Sequence, residues 1–227
     1  MYLEFIRGST HKDMPSKYVI REYTEGGVYH IYNRGVEKRI IFASAIDYSI
    51  FAYYLRVYSW PKEELVNLYP NLSMRLLRNN LSKEIDLLAY CLMPNHFHLL
   101  VQQASINGVS KLMKQLSNAY TEYFNKKYKR NGCLMQGRYK AAKISTDEIL
   151  RHVSRYIHIN PVVGGLSKSA NDYKWSSARE YTQGFENLCN KQIILSQFKN
   201  TKSYEQFLND HVGYAQSLED VKHSIIE

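Results

Sequence analysis

The sequence has no apolar run near the ~20 residues that a membrane-spanning helix needs. Its N-terminal stretch, MYLEFIRGSTHKD, is too polar, and its apolar part too short, to be a signal peptide. Internal repeats and low-complexity segments are missing as well. These features predict a protein with no membrane segment.

Cysteine is scarce, with only three residues: Cys91, Cys133 and Cys189. No two of them have the CxxC spacing of a zinc knuckle, and three widely separated cysteines do not make a disulfide framework. This cysteine usage predicts a reducing, cytoplasmic environment.

Acidic residues are missing from residues 126–143, KKYKRNGCLMQGRYKAAK, in a chain of net charge +9. Basic side chains neutralise phosphates, and the faces of Tyr128 and Tyr139 could stack on unpaired bases. The stretch is therefore a candidate DNA-binding segment, and a solvated basic loop is the alternative. Its basic residues are Lys126, Lys127, Lys129, Arg130, Arg138, Lys140 and Lys143.

The periodicity of apolar residues predicts strands, a hairpin and amphipathic helices in a definite order: strand, helix, hairpin, helix, strand, helix. This order predicts an α+β fold, an antiparallel sheet with helices covering one face. The last of these helices should begin at Ser145 and stop before Pro161. Residues 1–185 are expected to form one domain, which begins with an irregular leader, and residues 186–227 a helical C-terminal extension.

Two histidines stand in the apolar stretch MPNHFHLL, residues 93–100. In a strand, residues i and i+2 point to the same face, so His96 and His98 project together while Phe97 projects oppositely. Two imidazoles on one face suit a single cation. The alternative is a pair of ordinary surface histidines on an antiparallel sheet.

The helix that follows the basic stretch could complete such a site. Tyr156 and Asn160 are four residues apart and share a helix face. If this face packs near the histidines, His96, His98 and Asn160 could hold one cation with the phenol of Tyr156 beside it. Alternatively, Tyr156 is a core aromatic residue and Asn160 a helix C-cap.

Three other histidines are weaker candidates. His158 is expected on another face of the helix and not as a ligand. His152 lies one turn before Tyr156 and could contact it, as a base or a DNA contact. His30 projects from the first strand, where it could contact a metal ligand without binding the metal itself.

A tyrosine next to a cation permits a specific chemistry. Tyrosine is a recognised covalent nucleophile, but a phenol with a pKa of about 10 attacks poorly at neutral pH without help. A divalent ion on a scissile phosphate acts as a Lewis acid and offsets charge in the transition state. The product would be a tyrosyl phosphodiester, which keeps the energy of the broken bond, so that a strand can later be rejoined.

Four passages, in order, resemble the HUH-type single-tyrosine transposases, in particular the REP-associated tyrosine transposases and their insertion-sequence relatives. They are YHIYNRG (29–35), LLAYCLMPNHFHLLV (87–101), QGRYKA (136–141) and RYIHINPV (155–162), with YKWSSAREY (173–181) as a weaker fifth. Together they span most of residues 20–185, within the expected catalytic domain of residues 1–185.

The resemblance implies a ferredoxin-like core, with His96 and His98 as the HUH histidines, Tyr156 as the nucleophile and Asn160 as the third metal ligand. It implies cutting and joining of single-stranded DNA at hairpin-forming, REP-like sequences, with Mg²⁺ or Mn²⁺ and a 5′-phosphotyrosine intermediate. Monomers and dimers both occur among such enzymes, so the protein is expected to be a monomer or a homodimer.

Two alternatives stay open at this point. The first is a catalytically silent hairpin-binding protein derived from a transposase. After RYIHINPV this chain reads VGG, which departs from the basic residue, a DNA contact, that the resemblance implies there. The second is a zinc hydrolase, but it lacks an obvious third histidine or carboxylate near the strand.

Overall fold

The computed structural model describes residues 23–184 and 188–210, so most of the predicted leader and the end of the predicted extension lie outside them. Four strands form one sheet: β1 (Val28–Arg34), β2 (Ile85–Met93), β3 (His96–Gln103) and β4 (Lys140–Ile144). The strands are ordered β2-β3-β1-β4 and every pairing is antiparallel. This is the split βαβ arrangement of ferredoxin-like folds, so the predicted α+β class is confirmed.

Helices connect and follow these strands. They are α1 (Ala45–Ser59), α2 (Lys62–Leu68), α3 (Met74–Arg78), α4 (Gly108–Lys127), α5 (Asp147–Val163), α6 (Ala178–Thr182), α7 (Gln192–Leu195) and α8 (Thr201–Asn209). Within the described ranges, none of them has the length and apolar character needed to cross a membrane.

One side of the sheet, the core face, carries Phe97, Leu99 and Val101 of β3 against α1 and α4. Phe97 packs against Phe51 of α1, with ring centroids 5.1 Å apart. All the β3 side chains on this face are buried, since alternation in a strand directs every second residue into the same core. The core face is therefore closed.

The other side of the sheet, the histidine face, carries His96, His98 and Leu100. Helix α5 packs here through Val153 and Ile157, which join Leu100 in a second, smaller core. The sheet thus carries helices on both faces rather than on one. The apolar stripe of α5 also needs burial, and the core face is already occupied by α1 and α4.

Helix α5 starts and ends differently from the prediction. Its N-cap is Thr146, whose side chain accepts a hydrogen bond from the backbone of Ile149. It runs through Pro161 to Val163, since a proline in the last turn removes only the one hydrogen bond that its missing N–H would make. Gly164 then donates to the carbonyl of Asn160, which keeps Asn160 in helical geometry.

A buried polar network fixes α5 to the rest of the fold. His158 bonds through Nδ1 to the hydroxyl of Tyr204 in α8 (2.7 Å) and through Nε2 to Ser177 (2.8 Å). The hydroxyl of Ser177 in turn accepts from the backbone of Tyr90 in β2 (2.9 Å). Both α7 and α8 lie in the predicted helical extension. The division of the chain at residue 185 stays a prediction.

Candidate active site

A tight turn presents the two histidines. The carbonyl of Pro94 accepts hydrogen bonds from the backbones of Ile41 and Phe42 (2.8 and 3.0 Å), and that of Asn95 from Gly35 (2.8 Å). A Cβ on Gly35 would lie 2.2 Å from a backbone oxygen, so only glycine fits beside this turn. The start of β3 is therefore held rigidly from the loop after β1.

His98 is buried, with 5% of its surface exposed. A hydrogen bond of 2.9 Å joins its Nδ1 to Nε2 of His30, which lies on the neighbouring strand β1. Its other nitrogen, Nε2, is buried and has no hydrogen-bond partner. Buried polar atoms are almost always paired, so this nitrogen marks a place where a ligand is expected.

His96 is held in the same manner by a different residue. Its Nδ1 donates to Oδ1 of Asn95 in the turn (2.6 Å), and the side chain of Asn160 lies close enough to raise its pKa. The rings of His96 and His98 are 5.1 Å apart and nearly perpendicular. Nδ1 of each imidazole is therefore held by a neighbouring side chain, and Nε2 of His98 has no hydrogen-bond partner.

Tyr156 completes the group from α5. Its ring centroid lies 5.4 Å from that of His98 and 5.9 Å from that of His30, edge-on in both cases. Asn160, one turn later, reaches His96. The structure thus brings together all four residues that the sequence proposed as nucleophile and ligands. Their catalytic and ligating roles stay predictions.

The electrostatics of the site favour neutral imidazoles. Burial, followed by the charges of His30 and His96, holds the pKa of His98 well below its usual value. Burial lowers the pKa of His30 to about 4. Burial also lowers the pKa of His96, against the interaction with Asn160, which raises it, and the charge of Arg34 adds to the lowering. Neutral imidazole is the form that binds a metal.

The donor set fits a divalent cation. Two imidazole nitrogens and one carboxamide oxygen are acceptable to Mn²⁺ and to Mg²⁺, which keeps several waters and takes further oxygens from substrate phosphates. Within residues 23–184 and 188–210, no three His, Cys, Asp or Glu side chains are placed to hold a metal together. A cation at the histidine pair would therefore depend on the amide of Asn160.

Two further histidines of α5, His152 and His158, have partners of their own. His158 takes part in the network beneath α5, as its predicted position on another face implies. His152 bonds to Arg155 (2.7 Å) and its ring lies 5.7 Å from that of Phe207.

The basic stretch does not form one surface. Lys127 binds the buried carboxylate of Asp47 (2.6 Å), which Tyr128 also contacts through its hydroxyl (2.7 Å). On β4, Lys140 pairs with Tyr32 on the histidine face, whereas Lys143 alternates to the other side. The remaining predicted contacts (Lys126, Lys129, Arg130 and Arg138) lie on the end of α4 and the loop that follows it. Binding of DNA by these residues stays a prediction.

Strand β1 contributes residues to the site that the sequence reasoning left without a role. Tyr32 pairs with His98 and Arg34 with His96, so both lie on the histidine face. Arg34 is exposed, and its Nε donates to Oε1 of Gln136. The signal that could have identified them is the period-two pattern of YHIYNR, because it puts His30, Tyr32 and Arg34 on one face of the strand.

The comparison with protein families agrees with this structure, in which a helix that carries a tyrosine packs over paired histidines on a ferredoxin-like sheet. The family described as "Transposase IS200 like" matches residues 68–160, a range that includes His96, His98, Tyr156 and Asn160. The resemblance to the single-tyrosine transposases is therefore confirmed.

The solved structures include a similar protein, a REP-associated tyrosine transposase bound to a REP hairpin. It is 18% identical to this chain, with a TM-score of 0.50, and the match covers 77% of this chain and 90% of that one. At this identity the likeness establishes the fold. A search of curated proteins finds no match.

Proposed function

We propose that the protein is a metal-dependent single-stranded DNA endonuclease and strand transferase that acts through a covalent 5′-phosphotyrosine. One observation carries the proposal. The phenol of Tyr156 lies beside a buried histidine whose Nε2 has no partner, and Asn160 from the same helix reaches the second histidine. If Tyr156 were only a core residue and the two histidines only surface residues, nothing would require these side chains to lie together.

In this mechanism His96, His98 and Asn160 would hold Mg²⁺ or Mn²⁺, which supplies Lewis-acid stabilisation of the scissile phosphate. The oxygen of Tyr156 attacks the phosphorus and the bond to the 3′ oxygen breaks. The phenol gives up its proton to solvent, and the leaving oxygen takes one up to become a free 3′-hydroxyl. Reversal of the same exchange with another 3′-hydroxyl joins strands.

The substrate that we propose is hairpin-forming DNA with an unpaired strand at the site. A transposase of similar fold is bound to a REP hairpin in its solved structure, and this supports the same class of target here. On this chain, Lys140 stands next to Tyr32 on the histidine face, where it could contact the backbone of a strand that enters the site.

The test is incubation with an end-labelled hairpin oligonucleotide and Mg²⁺, followed by a denaturing gel. We expect a cleaved strand and a covalent protein–DNA adduct, both lost in Tyr156→Phe and both kept in Tyr53→Phe, which changes a tyrosine of α1. An adduct that survives Tyr156→Phe would refute the assignment. Binding without cleavage, with several divalent ions and substrates, would support the silent hairpin-binding alternative.

A further inference from the structure

His30 is buried on the histidine face, although nothing about packing requires an imidazole there. It is 5% exposed, and its cross-strand partners are Leu100 on one side and Ala142 on the other. A buried polar ring costs free energy unless it forms hydrogen bonds. The hydrogen bond of its Nε2 goes to Nδ1 of His98, so the reason for a histidine at this position lies in that contact.

A single proton occupies the bond between the two rings, and its position decides what His98 can do. If Nδ1 of His98 carries the proton, Nε2 presents a lone pair, the form that binds a cation. If His30 carries it, Nε2 of neutral His98 becomes an N–H that is buried without an acceptor. The first arrangement satisfies Nε2 of His98 when a cation is bound, whereas the second directs an N–H toward the cation.

We propose that His30 is a positioning residue that accepts the Nδ1 proton of His98 and so directs Nε2 of His98 toward the cation. The inference rests on the proposed function. Asn95 does the same for His96 from the hairpin turn, so each ligand is oriented by a residue from a different element. His30 also lies edge-on to Tyr156, with ring centroids 5.9 Å apart, and so contacts both the proposed ligand and the proposed nucleophile.

The test compares His30→Leu with His30→Gln. The leucine removes the acceptor, whereas Oε1 of glutamine can take up the place of Nε2. Mn²⁺ binding to the DNA-free protein is titrated by the EPR signal of the free ion. Loss of a residue that hydrogen-bonds to a metal ligand weakens metal binding by about 10–100-fold. We expect a loss of this size for His30→Leu. In His30→Gln we expect most of the affinity to be restored.

The matched control is His158→Gln, which changes another fully buried histidine on the same side of the sheet. It removes contacts to Tyr204 and Ser177 rather than to a ligand. We expect it to lower the melting temperature and to leave Mn²⁺ affinity within about threefold of wild type. This change is smaller than the one expected when a residue that hydrogen-bonds to a metal ligand is lost.

The ¹⁵N shifts of His98 in the wild-type protein keep the proposal testable if His30→Leu fails to fold. A proton on Nδ1 supports it, and a proton on Nε2 overturns it. Unchanged Mn²⁺ affinity in a folded His30→Leu would also overturn it while leaving the nuclease proposal intact. A wild-type protein that neither binds Mn²⁺ nor forms the adduct would overturn the proposed function instead.

Discussion

Phe97 and His98 are neighbours in the sequence, yet they belong to opposite sides of the sheet and to different kinds of environment. Phe97 packs in the core face among the rings of α1 and α4. His98 lies on the histidine face. Its Nε2 has no hydrogen-bond partner, and its ring centroid lies 5.4 Å from that of Tyr156. One strand therefore serves the stability of the fold on one face and the proposed chemistry on the other.

Two buried polar groups, one from each side of the sheet, differ in the same sense. On the side of α1 and α4, Asp47 is fully buried, and it binds Lys127, Tyr123, Tyr128 and the backbone of Ser44. On the histidine face, one ring nitrogen is left without a bond. A satisfied buried group rigidifies a structure, whereas an unsatisfied one is typical of a functional site.

The largest effect is expected from His98→Ala. Removal of a ligand should weaken Mn²⁺ binding by more than the roughly 10–100-fold cost of losing an outer partner, and should abolish the covalent adduct. The free energy of unfolding should change less than in Phe97→Ala. EPR titration, the adduct gel and urea denaturation together measure these quantities. Persistent adduct formation would show that His98 is not a ligand.

Phe97→Ala should have the reverse effect. Truncation of a fully buried phenylalanine leaves a cavity and costs about 3–5 kcal/mol of unfolding free energy. Molecules that stay folded should bind Mn²⁺ nearly as wild type does, because the histidine face keeps its ligands. Urea denaturation followed by tryptophan fluorescence measures the loss. A selective loss of metal affinity at unchanged stability would contradict the division between the two faces.

A smaller effect is expected at Asp47, and it depends on pH. Burial raises the pKa of this carboxyl, but hydrogen bonds from Lys127, Tyr128, Tyr123 and Ser44 outweigh it and lower the pKa below the ordinary value. A lowered folded-state pKa contributes stability above the unfolded value, near pH 4, and loses it as the pH falls through the folded value.

Asp47→Asn should therefore destabilise the protein by about 1–3 kcal/mol at pH 7 and by progressively less below pH ~4. Urea midpoints at a series of pH values measure this. Asp86→Asn, which changes an exposed carboxylate of β2, is the control and should show little effect at any pH. A constant difference between Asp47→Asn and wild type across the acid range would contradict the linkage.

The smallest effect is expected from Arg34→Ala. Arg34 is exposed next to His96, and its side chain bonds to the exposed side chain of Gln136, so its charge could neutralise a phosphate near the site while contributing little to stability. Loss of one phosphate contact should reduce the slope of log affinity against log salt by about 0.7 for a single strand. Fluorescence anisotropy with a labelled oligonucleotide measures it. Arg78→Ala, an exposed arginine of α3, is the control and should leave the slope unchanged.

Much of the architecture followed from local patterns. The antiparallel sheet was predictable because strand alternation and the Pro94–Asn95 turn are short-range features. The presence of helices on both faces of the sheet was not predictable. Periodicity shows that a helix has an apolar stripe, but it does not show which surface covers that stripe. The helix through Pro161 was missed because a proline in a last turn costs little.

Sequence alone determined which candidate residues share a face: two residues apart for His96 and His98 in a strand, four apart for Tyr156 and Asn160 in a helix. Tertiary structure alone decided that these faces meet, that His30 holds His98 across 68 residues of chain, and that Asp47 takes up Lys127. The reason is physical. Alternation and helical pitch act within a few residues, whereas contacts between distant elements depend on how whole surfaces pack.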